Sequence, residues 1–191
     1  FYALDLYDIK VDIYSMLHAQ SVDEYDFTYQ MRPWIKEIEL GISRKMTGVF
    51  VGSTIHKNQL REYGFTCPIH VVSLPYGKAD TMSLVTKIPN KENQVIFASR
   101  LDKEKNPYFL IDVIDKFLSQ HPDWNWVMTT SGESFKSNLP DVVSMFERYS
   151  ESQPRFKMLR NLSKEEYYTE IARSSIMFNC SLQDYVSWTS I

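Results

Sequence analysis

Two cations five residues apart, Arg100 and Lys105, stand out in the run Val95-Ile96-Phe97-Ala98-Ser99-Arg100-Leu101-Asp102-Lys103-Glu104-Lys105-Asn106-Pro107. An apolar stretch ends in small Ser99, the cations follow, and Asn-Pro opens what reads as a helix. Asn106 suits an N-cap and Pro107 a first helical position. A helix N-terminus flanked by cations suits a phosphate-bearing ligand, because its free N–H groups and dipole favour negative charge. A solvated turn between a strand and a helix would look the same, and the loop alone does not separate the two.

The flanking elements are better defined. From Pro107 the apolar residues Leu110, Val113, Ile114, Phe117 and Leu118 recur with a period near 3.6, and His121-Pro122 stops them. Val95 to Ala98 has no polar residue, as expected for a strand covered on both faces. Strand, charged turn and helix make half of a βαβ unit, whose ligands sit at the carboxyl ends of its strands.

Similar alternation runs through the chain. Expected strands are Val11 to Leu17 (ending at His18), Gly48 to Gly52, Ile69 to Leu74, Trp124 to Thr130, Phe156 to Leu159 and Ile176 to Phe178. Expected helices run from Arg32-Pro33 to about Lys45, with apolar Trp34, Ile35, Ile38 and Ile42, then over Thr54 to Tyr63 and Val142 to Tyr149. A capping box, Ser163-Lys164-Glu165-Glu166, opens another that runs to about Arg173. The pattern implies an α/β fold with parallel sheets. Residues 78–93 lose periodicity and read as a link, dividing the chain into 1–77 and 94–191.

Composition sets bounds. A hydrophobic content of 43% and an aromatic content of 14% support a packed core. A formal charge of −3 gives no global attraction to nucleic acid. Cys67 and Cys180 make no framework and no C-x-x-C, so reduced thiols and a cytoplasmic setting are expected. The sequons at Asn161 and Asn179 read as chance. Phe1 and the abrupt end at Ile191 read as a piece of a longer protein.

Taken together, the motifs resemble family 4 glycosyltransferases of the GT-B fold. That family carries a small residue, Arg-Leu, two variable residues, Glu-Lys and then Gly or Asn; Ser99-Arg100-Leu101 and Glu104-Lys105-Asn106 match. It carries a strand followed by Ser-Leu-x-acid; Asn179-Cys180-Ser181-Leu182-Gln183-Asp184 matches. Upstream, a strand ending in His matches His18, Val49-Phe50-Val51-Gly52-Ser53 matches a short buried strand, and Pro75-Tyr76-Gly77 stands for Pro-Asn-Gly. The resemblance implies a pair of Rossmann-like domains, both incomplete here. Residues 1–77 would belong to the acceptor side and 94–191 to the nucleotide-sugar side.

It also implies a retaining, metal-independent hexosyl transfer from a UDP-sugar or GDP-sugar to a glycan, lipid-linked or other acceptor, without a further cofactor. Arg100 and Lys105 would stabilise the leaving diphosphate, and His18 would face the reacting sugar. Ser99, Asn161, Asp184, Tyr185, Val186 and Ser187 would line the donor site. The family usually has Glu at Asp184 and Gly-Phe-Gly where Tyr185-Val186-Ser187 stand, so side chains replace backbone against the donor. Its second acid would fall just after Ile191. Residues 131–133 would touch the nucleotide, and Tyr25, Phe27, Tyr29 and Trp34 would form an acceptor wall, about half of them core. Contact with the inner face of a membrane would come through further segments. A sugar-nucleotide epimerase and a non-catalytic nucleotide-binding domain are the competing readings.

Overall fold

The computed structural model describes residues 1–72, 77–85 and 89–185. It divides into two compact units, one of Phe1–Pro75 with Asp184–Val186, the other formed by most of the remainder.

The first unit begins with a short helix α1 (Tyr2–Leu6). It continues as β1 (Tyr14–Leu17), a 3-10 turn (Phe27–Met31), α2 (Arg32–Ser43), β2 (Gly48–Val51), α3 (Thr54–Tyr63) and β3 (Ile69–Val71). The strands are parallel in the order β1-β2-β3. The register puts Ser15, Val49 and Ile69 in one row and Leu17, Val51 and Val71 in the next. That face carries the core, with Leu60 and Tyr63 of α3 packed on Leu17, Val49, Val51 and Ile69. The opposite face carries the rings of Tyr14, Phe50 and His70, with successive centroids 5.7 and 5.5 Å apart. Ser53 caps α3 by accepting the His56 amide at 3.2 Å, and Gly64 ends it in the left-handed conformation at φ 119°.

In α2 Trp34, Ile38 and Ile42 are exposed, and the inward face carries Lys36, Glu39, Leu40 and Ser43. On the inward side the Glu39 carboxylate of α2 accepts from the Tyr63 hydroxyl of α3 at 2.6 Å. The expected acceptor wall is likewise uncovered. Phe27, Tyr29 and Trp34 are exposed and Tyr25 is half-buried, so none is core.

The second unit runs α4 (Lys78–Ser83), β4 (Glu92–Phe97), a 3-10 turn (Lys103–Lys105), α5 (Pro107–Gln120), β5 (Asn125–Thr129), α6 (Val142–Ser152), β6 (Phe156–Leu159), α7 (Lys164–Arg173) and β7 (Ser174–Met177). The segment expected to be an aperiodic link therefore holds α4 and the first residues of β4. All strands are parallel in the order β6-β5-β4-β7. Val95, Phe97, Trp126, Met128 and Phe156 line one face against Leu110, Ile114 and Leu118 of α5 and Val142 and Phe146 of α6. Ile96 and Val127 alternate to the other face and are equally buried. This double covering accounts for the unbroken apolar run of β4.

Leu110 is inaccessible on α5, whereas its neighbour Tyr108 is 54% exposed. Leu110→Ala is expected to lower the unfolding free energy by about 2–5 kcal/mol through lost transfer energy and a cavity. Tyr108→Ala should change it by less than about 0.5 kcal/mol. Urea unfolding of both variants measures this, and equal effects would contradict the packing of α5.

Candidate functional site

In the second unit β4 leads to β5 on one side, β5 to β6 further out, and β6 back across to β7 on the other side of β4. The strand order reverses between β4 and β7, and open parallel sheets bind ligands at the carboxyl ends of the strands flanking such a reversal. The loop after β4 holds Ser99 to Lys105, and the loop after β7 holds Asn179 to Gln183. They are joined there. The Leu182 amide donates to the Glu104 carbonyl at 2.7 Å, and the Cys180 thiol to the Lys105 carbonyl at 3.2 Å. Asn179 shapes its own loop by accepting from the Ser181 amide and hydroxyl at 2.9 and 2.7 Å.

Arg100 and Lys105 share this edge within a web of carboxylates. Arg100 pairs with Asp102 at 2.8 Å and with Glu104 at 3.2 Å, and Lys105 lies 3.6 Å from the same Glu104 oxygen. Arg100 is largely exposed, whereas Lys105 and Glu104 are mostly covered. Asp102 is buried and also accepts the Asn138 amide at 2.8 Å, while Asn138 accepts the Lys103 amide at 2.8 Å. Leu101 is fastened to the same segment, its amide on the Lys136 carbonyl at 2.9 Å and its carbonyl on the Ser137 hydroxyl at 2.6 Å. Two cations are thus held by two carboxylates on a backbone pinned to the segment before α6. Asn138 was not legible as a site residue, since its partners lie 35 and 36 positions away.

Asn106 does not cap α5 through its side chain. It adopts the left-handed conformation (φ 52°, ψ 53°) that turns the 3-10 segment into the helix. Asparagine tolerates that conformation better than other non-glycine residues. Ser99 keeps a negative φ, so the tight turn falls at Asn106. Asn161 is also left-handed, at φ 54°, and its amide donates to the Gly132 carbonyl at 3.0 Å, joining the loops after β5 and β6 on the same edge. Asp184 and Tyr185 group with the first unit, although they were expected within 94–191. The Tyr185 hydroxyl donates to Gln59 at 2.5 Å and its ring stacks on His56 with centroids 4.0 Å apart. Val186 and Ser187 lie outside the described residues, as do Pro75 and Tyr76.

In the first unit His18 follows β1 and is exposed. The sequence pointed to His18 and missed His56, which α3 buries completely. His56 Nε2 lies 3.1 Å from the Ala19 carbonyl. A carbonyl only accepts, so Nε2 carries the proton. His56 is held neutral, its pKa lowered to about 4 chiefly by burial; the Ala19 hydrogen bond opposes this and nearby His18 adds to it. Serine-capped α3 places it, and its period-3.6 spacing with Leu60 and Tyr63 was the available signal.

Among the described residues no group of three or more His, Cys, Asp or Glu could hold a metal ion, and no helix is long and apolar enough to cross a membrane. No family model matches the sequence and no curated protein matches it. Solved structures do. TarM is 14% identical, with 92% of this chain and 33% of that chain covered at a TM-score of 0.60. The pneumococcal O-GlcNAc transferase GtfA, solved with UDP and GlcNAc, is 12% identical over 93% and 34% at 0.57. A UDP-forming alpha,alpha-trehalose-phosphate synthase from Burkholderia vietnamiensis is 13% identical over 97% and 50% at 0.61. The chain spans a third to a half of the length of these structures. The likeness shows the fold: the chain has part of the GT-B architecture, with its parallel α/β units.

The neutral state of His56 has a pH signature. Its folded pKa lies below the usual histidine value, so its contribution is complete above about pH 6.5 and is lost as pH falls towards 4. One pKa unit is about 1.4 kcal/mol, so the loss reaches roughly 3 kcal/mol. His56→Gln should flatten the fall in urea stability between pH 6.5 and 4 relative to the parent protein. Parallel pH profiles would show that His56 is not buried neutral.

Proposed function

We propose that the chain is part of a glycosyltransferase that moves a sugar from a nucleoside-diphosphate sugar to an acceptor, with UDP as the nucleotide to test first. The observation that carries this reading is the pairing of loops at the strand-order reversal. The Arg100–Lys105 turn and the Asn179–Gln183 loop are bonded to each other at the carboxyl edge, where an α/β sheet receives a phosphate-bearing ligand. GtfA, solved with UDP and GlcNAc, and the UDP-forming trehalose-phosphate synthase support the choice of nucleotide.

The chemistry follows from charge. As the bond from the anomeric carbon to the diphosphate breaks, negative charge grows on the leaving oxygens. Cations held at that place stabilise the transition state more than the bound donor, and so raise the rate rather than only the affinity. Arg100 offers a planar fork for two phosphate oxygens and Lys105 a point charge. Asp102 and Glu104 hold both side chains over the turn before the donor arrives, so less ordering remains to be done on binding. In this reading the two cations meet the diphosphate charge without a metal ion, Ser99 and Asn161 border the nucleotide, and Asp184 takes sugar hydroxyls. His18 meets the reacting sugar, and the anomeric configuration is retained; the family resemblance supports both assignments.

Calorimetry and thermal shift of the full-length protein with UDP, GDP and ADP test the reading. Arg100→Ala and Lys105→Ala are each expected to weaken binding of the preferred nucleotide about tenfold or more, or at least about 1.4 kcal/mol, with the melting temperature of the free protein little changed. Product analysis with the matching nucleotide sugar should then show sugar transferred to an acceptor. Folded protein that binds none of the three nucleotides, or that releases altered sugar without transfer, would overturn it.

A further inference from the structure

His18 is exposed, yet the three residues after it are among the most tightly held in the first unit. The Ala19 carbonyl accepts from His56 Nε2 at 3.1 Å. The Ser21 amide donates to one Glu39 oxygen at 3.1 Å, and the Ser21 hydroxyl donates to the other at 2.6 Å. Tyr63 donates to that second oxygen at 2.6 Å and also contacts the Ser21 hydroxyl. His56 and Ser21 are inaccessible and Tyr63 nearly so. Arg32 and Lys36 of α2 lie over the Tyr63 ring, 5.0 and 4.9 Å from its centroid.

Between the two clamps Gln20 sits at φ 70°, in the left-handed region. A non-glycine residue persists there only where its surroundings over-determine it, and such positions cluster at functional sites. Holding a loop does not in itself require this arrangement, because apolar packing would serve. Here α2 turns a carboxylate inward and α3 a histidine, each costly to bury without a partner, and each has a backbone partner within three residues of His18, Glu39 accepting from the Ser21 and Tyr63 hydroxyls as well.

We propose that His56 and Glu39 are positioning residues for His18. His56 fixes the Ala19 carbonyl, Glu39 fixes the Ser21 amide, and the twisted Gln20 between them sets the direction in which the chain presents the His18 imidazole. The inference rests on the glycosyl-transfer reading and adds to it a device that orients the histidine at the sugar. A reacting group held within a fraction of an ångström matters because small misplacement costs about a hundredfold in rate without a matching loss of binding.

The test uses the full-length protein with UDP-glucose and UDP-N-acetylglucosamine, following UDP release for kcat and KM, and calorimetry for the UDP dissociation constant. His56→Leu keeps bulk and removes the donor; it is expected to lower kcat about tenfold or more with KM and UDP affinity within about twofold. His56→Gln, whose side-chain amide can donate to the Ala19 carbonyl, should recover kcat to within about threefold of the parent. Glu39→Gln should show the same split, and carries the test if His56→Leu does not fold. Parental kcat in His56→Leu alongside inactive His18→Ala would overturn the positioning role, as would a loss that His56→Gln does not rescue. Parental kcat in His18→Ala would instead remove the role given to His18. Folded parent protein that turns over neither nucleotide sugar would remove the reading and the inference together.

Discussion

The second unit turns about β4. Its residues Val95 to Phe97 are buried on both faces, and the strand lies between β5 on one side and β7 on the other. An interior strand flanked by connections that leave in opposite directions opens a crevice at its carboxyl end. The residues that the sequence supplies immediately after β4 are Ser99, Arg100 and the turn to Lys105. The position of β4 therefore decides where two cations stand, and the β7 loop meets them there because β7 pairs with β4.

Charge within that crevice is balanced before any ligand arrives. Arg100 and Lys105 are matched by Asp102 and Glu104, and buried Asp102 is also tied to the Asn138 amide. Long basic side chains left to themselves would sample many rotamers; carboxylates on the same turn restrict them. The pairs made by the largely exposed Arg100 contribute little to folding, on the order of 0–1 kcal/mol. Their consequence is geometric: they set where positive charge is available to an incoming diphosphate.

The first unit solves a different problem with buried polar groups. Its core face is apolar along Leu17, Val49, Val51 and Ile69, and the ends of α2 and α3 that meet the β1 loop are not. Glu39, Tyr63, Ser21 and the Nε2 of His56 satisfy one another or the loop backbone, while His56 Nδ1 is buried without a hydrogen-bond partner. On the same helix as Glu39, Trp34, Ile38 and Ile42 are exposed.

Local patterns carried much of this. The 3.6-residue spacing of Leu110, Ile114 and Leu118, the capping box at Ser163 and the apolar run of β4 each reflect interactions within one element, and they specify that element's type and extent. The parallel α/β class followed from their alternation, and the Arg100–Lys105 turn could be marked because its cations lie five residues apart. The sequence could not show which face of α2 would be inward, since an amphipathic stripe says only that a face is apolar and not what will cover it. Nor could it show that Asn106 turns rather than caps, that Asn138 and Asp102 bind each other across 36 residues, or that His56 reaches the chain beside His18. Those depend on groups brought together by the sheet order, and a hydrogen bond between distant residues leaves no period in the sequence. The sequence by itself determined the elements and the chemistry available at their ends; the tertiary structure decided which ends meet, because strand order is set by pairing between segments far apart in the chain.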